Sequence, residues 1–169
     1  LYFTLLSARK TAYALVQDST KPLARCLAEL LDFAEELQGQ IGALPTVTEK
    51  MDFRSVFQNP ELINPQWPEK VAAGDLTAPV GESHFGRQIA MYFLFRYFLN
   101  LGLEGDVLSA AKMAVVGVLV PTYFGKDSWV MHLWSKETEH SDVNMERYRR
   151  LLRTADCLSV PALKSRLDT

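Results

Sequence analysis

The sequence predicts an all-α fold, an irregular bundle of about six or seven helices with two central, strongly apolar antiparallel helices. Three observations predict it. Apolar residues recur in steps of three and four along most of the chain. Gly, Pro and capping residues punctuate those stretches at helical lengths. The sequence lacks alternating apolar and polar runs joined by Asn-Gly or Asp-Gly turns, which are the marks of hairpins.

The elements follow in order. A first helix is expected from about Phe3 to Val16, with Leu5, Leu6, Ala12, Tyr13 and Val16 on one stripe and Arg9 intruding on it. Lys21-Pro22 restarts the chain, because Pro suits a first helical turn. The second helix runs from about Pro22 to Leu37, on Leu23, Cys26, Leu27, Leu30, Leu31, Ala34 and Leu37. Gly39 to Gly81 holds 5 of the 8 prolines (Pro45, Pro60, Pro65, Pro68 and Pro79) and reads as short turns joined by irregular chain. Asn64 to Ala73 makes a short helix with Trp67 and Val71 inward. A linker would be polar, whereas 39–81 carries Met51, Phe53, Val56, Phe57, Leu62, Ile63 and Trp67. It is expected to pack on the bundle, so 1–169 reads as a single helical domain.

Two apolar runs follow, Ile89 to Leu103 and Met113 to Val120, each short of the roughly 20 residues a membrane span needs. They read as the central helices, buried nearly all round, with Asp106 capping the second and Pro121 ending it. Lys126 to about His140 forms another helix on Trp129, Val130, Leu133 and Trp134. Ser141 or Asp142 caps a following helix to Arg153, and a continuous helix through both fits the pattern equally. Pro161 to Leu167 closes the chain as a short turn.

Composition excludes several classes. With 11% aromatic and 22% charged residues and a net charge of −2, the chain is neither disordered nor a basic nucleic-acid binder. Its two thiols, Cys26 and Cys157, are too far apart for a CxxC pair and read as inert thiols of a cytoplasmic protein. GxGxxG, GxxxxGK[ST], HExxH and GxSxG are all missing, which argues against those chemistries. The chain opens Leu1-Tyr2-Phe3 without Met or a signal-like segment, and reads as a piece of a longer protein.

Two features carry possible chemistry. Ser135 to Asn144 is the densest polar cluster, and on one helix Glu137, His140, Ser141 and Asn144 would share a face. Glu137-x-x-His140 has di-iron spacing but occurs once, so no metal site is expected. The cluster reads first as a polar helix junction, with general acid–base use of His140 the alternative. Arg96, inside an apolar helix, reads as a buried charge paired with Glu137 or Glu139, or as an anion contact. Arg147, Arg149, Arg150 and Arg153 read as a solvated basic face.

The run WSKETEHSDVNMER, Trp134 to Arg147, resembles the closing signature of the flagellin lysine-N-methylase family, a Ser-Arg-Glu-x-Glu-His-Ser-x-x-Asn pattern. Lys136 stands where that pattern has Arg. The stretches KPLARCLAELLDFAEEL and QIAMYFLFRYFLNLGLEGDVLSAAKMAVVGVLV are similar to the family's Leu-rich helix and its hydrophobic helix pair. The resemblance covers most of the chain, though only Glu139-His140-Ser141 and Asn144 are specific. It implies the C-terminal helical part of a bacterial S-adenosylmethionine-dependent protein lysine methyltransferase. That part would not be competent alone, would assist substrate or cofactor positioning, and would have flagellin as partner. The cofactor belongs to the full-length protein, whose cysteine-rich N-terminal motif is not in this sequence. The alternative is a non-enzymatic all-α ligand-binding or dimerisation module, such as a transcriptional regulator's effector domain. Neither reading calls for nucleic acid or membrane, and both leave a homo-oligomer open.

Overall fold

A computed structural model of the chain describes residues 1–44 and 47–168, which leaves Pro45 outside the described residues. Among them the fold is all-α, with eight α-helices, two 3-10 turns and no strand beyond an isolated bridge from Glu49 to Ala155. The helices are α1 (Tyr2–Gln17), α2 (Leu23–Ile41), α3 (Gln66–Ala73), α4 (His84–Leu103), α5 (Val107–Phe124), α6 (Ser128–Glu139), α7 (Asp142–Thr154) and α8 (Val160–Leu167). They group into two compact units, each built from separated segments: Leu1–Pro45, Pro79–Val118 and Val160–Thr169 in one, Thr46–Ala78 and Leu119–Ser159 in the other.

In the first unit the predicted stripe of α2 is buried throughout, from Leu23 to Leu37. Helix α1 packs on α2 and α4, and α8 on α2. Helices α4 and α5 fold back on one another across a three-residue turn. A Cβ on Gly117 would stand 2.5 Å from the Phe93 ring, so the missing side chain permits their close approach. Gly105 adopts the left-handed φ of +87° that the turn requires. Gln38 of α2 pins that turn. Its amide donates to the Gly105 carbonyl at 2.8 Å and accepts from the Leu108 N–H at 3.2 Å. Asp106 caps α5 as expected, accepting from the Ser109 N–H at 3.0 Å.

The sequence reading of the two apolar runs needs three corrections. Helix α4 is not buried all round. Ile89, Ala90, Phe93, Leu94, Phe98 and Leu101 face inward, whereas Phe95 is 70% exposed and Tyr92 and Leu103 are also outward. Arg96 lies on that outward face, with its Nε donating to the Tyr97 hydroxyl at 3.2 Å, so it is not a buried charge. The buried cation is Lys112 of α5, whose ammonium burial pushes down in pKa while Asp106 and Glu35 pull it back up. Helix α5 also runs past Pro121 to Phe124, because burial of Tyr123 and Phe124 outweighs the roughly 3 kcal/mol cost of an internal proline. At 18 residues α5 is long and apolar enough to cross a membrane, but 89% of it is buried within the protein.

Arg87, which the sequence reading passed over, ties the first unit together. Its guanidinium donates to the carbonyls of Val16 at 2.6 Å and Lys21 at 2.8 Å, closing the C-terminal end of α1 and the α1–α2 turn. The same group forms a two-pronged ion pair with Glu82, at 2.8 and 3.0 Å.

The second unit has an aromatic core. Phe57 meets Phe53 and Phe124 edge-on, each at 5.1 Å between ring centres, and Trp67 meets Phe124 at 5.9 Å. The 39–81 segment supplies Phe53, Val56, Phe57, Trp67 and Val71 to this core, while Leu62 and Ile63 are exposed. Asp127 caps α6 and Ser141 caps α7, so the chain breaks at His140 instead of running on as one helix. Trp129, expected inward, is half-exposed and donates to Gln66 at 3.0 Å. The last segment is a two-turn helix, not a turn.

Arg87→Ala is expected to destabilise the fold by about 2–3 kcal/mol in urea denaturation at neutral pH, because buried carbonyls and Glu82 lose a charged donor. Arg87 holds the Glu82 carboxyl below its usual value of 4.5. The ion pair's contribution is therefore complete above about pH 4.5 and disappears as pH falls through the lower folded value. The gap between wild type and Arg87→Ala should narrow on acidification, and a gap that widens would contradict this account.

Candidate functional site

The polar cluster picked out by sequence is a buried knot in the second unit, formed by α6, α7 and the loop before α3. Glu137, on the inner face of α6, is fully buried. One of its carboxylate oxygens accepts from two consecutive loop amides, that of Ile63 at 2.9 Å and that of Asn64. Asn144, also fully buried, reads the loop at Glu61. Its amide nitrogen donates to the Glu61 carbonyl at 2.8 Å and its oxygen accepts from the Glu61 N–H at 3.0 Å. The same nitrogen donates to the Glu137 carbonyl at 2.6 Å, which closes the last turn of α6. Ser141 caps α7 through the Asn144 N–H at 3.2 Å and donates its hydroxyl to the Glu61 carboxylate at 2.5 Å.

Of the predicted cluster, Glu137, Ser141 and Asn144 therefore come together and His140 does not. His140 is the residue at which α6 ends; the turn there swings it into solvent, off the face a continuous helix would have given it. Glu139 is half-buried and accepts from the Ser135 hydroxyl at 2.8 Å. The Glu137-x-x-His140 pair is split between core and surface and offers no joint metal ligation. Glu137 is committed to the Ile63 and Asn64 amides, not to Arg96 as an ion-pair partner.

A cavity of about 270 Å³ opens beside this knot, lined by residues of the second unit alone. Phe57, Leu62, Trp67, Pro68 and Val71 form its apolar wall, and Glu137, Asn59 and Arg54 supply polar atoms. Trp67 is fixed by its indole N–H, which donates to the Phe57 carbonyl at 2.9 Å. The Arg54 guanidinium is taken up by carbonyls at the end of α3, those of Val71, of Ala72 at 3.3 Å and of Gly74 at 3.2 Å. Two atoms of the lining residues are sealed from solvent without a partner. The second carboxylate oxygen of Glu137 and the side-chain nitrogen of Asn59 have no hydrogen-bond partner among the described residues.

The expected basic face is partly structural. Arg147 is half-buried and donates to the carbonyls of Val56 and Ser55, each at 2.9 Å, and burial lowers its pKa. Arg150 pairs with Glu49 at 3.4 Å, and the Thr154 hydroxyl, before the charges, holds the Glu49 carboxyl below its usual range. Sequence reasoning missed Glu61 because it belongs to no motif, and the cap expected of Asn59-Pro60 starts no helix. The available signal was Asn59-Pro60 and Asn64-Pro65, which mark the loop that Glu137 and Asn144 hold.

No protein-family model, curated protein or solved structure matches this chain.

Asn144→Ala should cost about 2–4 kcal/mol by chemical denaturation, since it strands the Glu61 N–H and two carbonyls in the interior. His140→Ala should change stability by less than about 0.5 kcal/mol, as an exposed substitution. Equal costs for the two would refute the division of the cluster.

Proposed function

We propose that this chain is the helical part of a bacterial, cytoplasmic protein lysine-N-methylase of the flagellin type, in which it positions substrate. The observation that carries the reading is the convergence of Glu137, Ser141 and Asn144 on the loop that walls the cavity. Three residues of the stretch that resembles that family, Glu137, Ser141 and Asn144, thus hold the loop that forms one wall of a cavity. Glu139 and His140 stand outside the knot, so of the specific signature positions only Ser141 and Asn144 support the reading. The methyl donor implied by the resemblance does not fit this cavity. By comparison with a 150 Å³ cavity that accepts benzene, 270 Å³ holds about ten heavy atoms, far fewer than S-adenosylmethionine has. Donor binding and methyl transfer are accordingly assigned to the rest of the full-length protein, and no chemical step is assigned to residues of this chain.

A second reading, a non-enzymatic ligand-binding or dimerisation module, is favoured by the same cavity and by the outward apolar residues Tyr92, Phe95 and Leu103 of α4. One assay separates the two. With flagellin and labelled S-adenosylmethionine, the full-length protein should methylate flagellin lysines, and this chain alone should not. Failure of the full-length protein to label flagellin would overturn the methylase reading and leave the binding module.

A further inference from the structure

We propose that the outward face shared by α1 and α4 docks on a membrane surface rich in anionic phospholipid. The inference stands apart from the methylase reading, which uses only the second unit. Helix α1 carries two stripes. Leu5, Ala8, Ala12 and Val16 are buried, whereas Phe3, Leu6, Lys10 and Tyr13, also at steps of three and four, lie off that stripe. On α4, Tyr92, Phe95, Leu99 and Leu103 repeat the same steps off the buried side. The two outer stripes meet at Arg9. Its guanidinium lies 5.6 Å from the centre of the Tyr13 ring and 5.9 Å from that of Phe95.

Charge selects the occupant. Neither α1 nor α4 contains Asp or Glu, although the chain has 20. The flanking carboxylates Asp18, Glu82 and Glu104 stand beyond the helix ends. The side chains of Arg9 and Lys10 form no hydrogen bond or ion pair among the described residues. Exposed cations beside protruding aromatic rings suit the boundary between anionic headgroups and acyl chains. A second copy suits the face less well. An isologous contact would set Arg9, Lys10 and Arg96 against their own counterparts, with no carboxylate of either helix to meet them. A partner helix would need a furrow, and the Arg9 side chain fills the one between α1 and α4. Phe3, 82% exposed, and Phe95 stand out from the surface instead of lining a groove.

The test floats the full chain with vesicles of phosphatidylcholine, either alone or with about 30 mol% phosphatidylglycerol, in about 0.1 M salt. Partitioning onto the anionic vesicles should be at least about tenfold stronger, and should weaken as salt is raised. Phe3→Ser and Phe95→Ser should each lose about tenfold of it with the melting temperature unchanged, because both side chains already stand in solvent. Lys10→Gln should lose about fivefold on anionic vesicles and nothing on neutral ones. Equal partitioning onto both vesicles, unchanged partitioning in Phe95→Ser, or no binding by a chain with a folded amide spectrum would overturn the proposal. So would a dimer in sedimentation equilibrium that Phe95→Ser dissociates, since the face would then belong to a second copy.

Discussion

The second unit depends on a buried carboxyl side chain, Glu137, that forms no ion pair among the described residues. Glu137 is buried on the inner face of α6, and the backbone N–H groups of Ile63 and Asn64 stabilise one of its oxygens. A buried carboxylate without such donors is strongly unfavourable, and so are buried amides without an acceptor. Each group therefore constrains the other. The loop from Gln58 to Pro65, with Leu62 and Ile63 exposed and no residue fully buried, has little packing to hold it in place. It is held by hydrogen bonds. Asn144 and Ser141 add to the hold at Glu61, and the result is a rigid wall for the cavity.

The first unit solves a related problem with opposite charge. Arg87 gathers carbonyls at the end of α1 and in the turn to α2, as Glu137 gathers amides before α3. In both places a single polar side chain reaches backbone that helical periodicity leaves unsatisfied. Neither residue belongs to an apolar stripe. Both decide where a connecting segment lies.

Local pattern made the helices readable. The α2 stripe, the Asp106 cap and the inward Trp67 and Val71 of α3 all follow from spacing and caps, which act within a few residues. Long-range competition was not readable. Pro121 stops a helix on local grounds, yet α5 continues because Tyr123 and Phe124 enter the aromatic core. Arg96 looked buried because its neighbours are apolar, but one face of α4 points outward; Lys112, at the edge of the other run, carries the buried charge. In the polar cluster the residue types were right and the geometry was not. One continuous helix would have aligned His140 with Glu137, and the Ser141 cap breaks that alignment. Glu61 was invisible to motif reasoning, since its role arises from contacts about 80 residues apart in sequence.

The central claim is that Glu137 and Asn144 fix the loop through its backbone. Ile63 is 47% exposed, so burial of its side chain cannot account for protection of its N–H. Native-state hydrogen exchange at Glu61, Ile63 and Asn64 tests the claim most directly. The account predicts that these three amides exchange at least about a hundredfold more slowly than an unstructured chain, and that they open together. Exchange of all three at the unstructured rate, in a chain whose α6 and α7 amides remain protected, would contradict it.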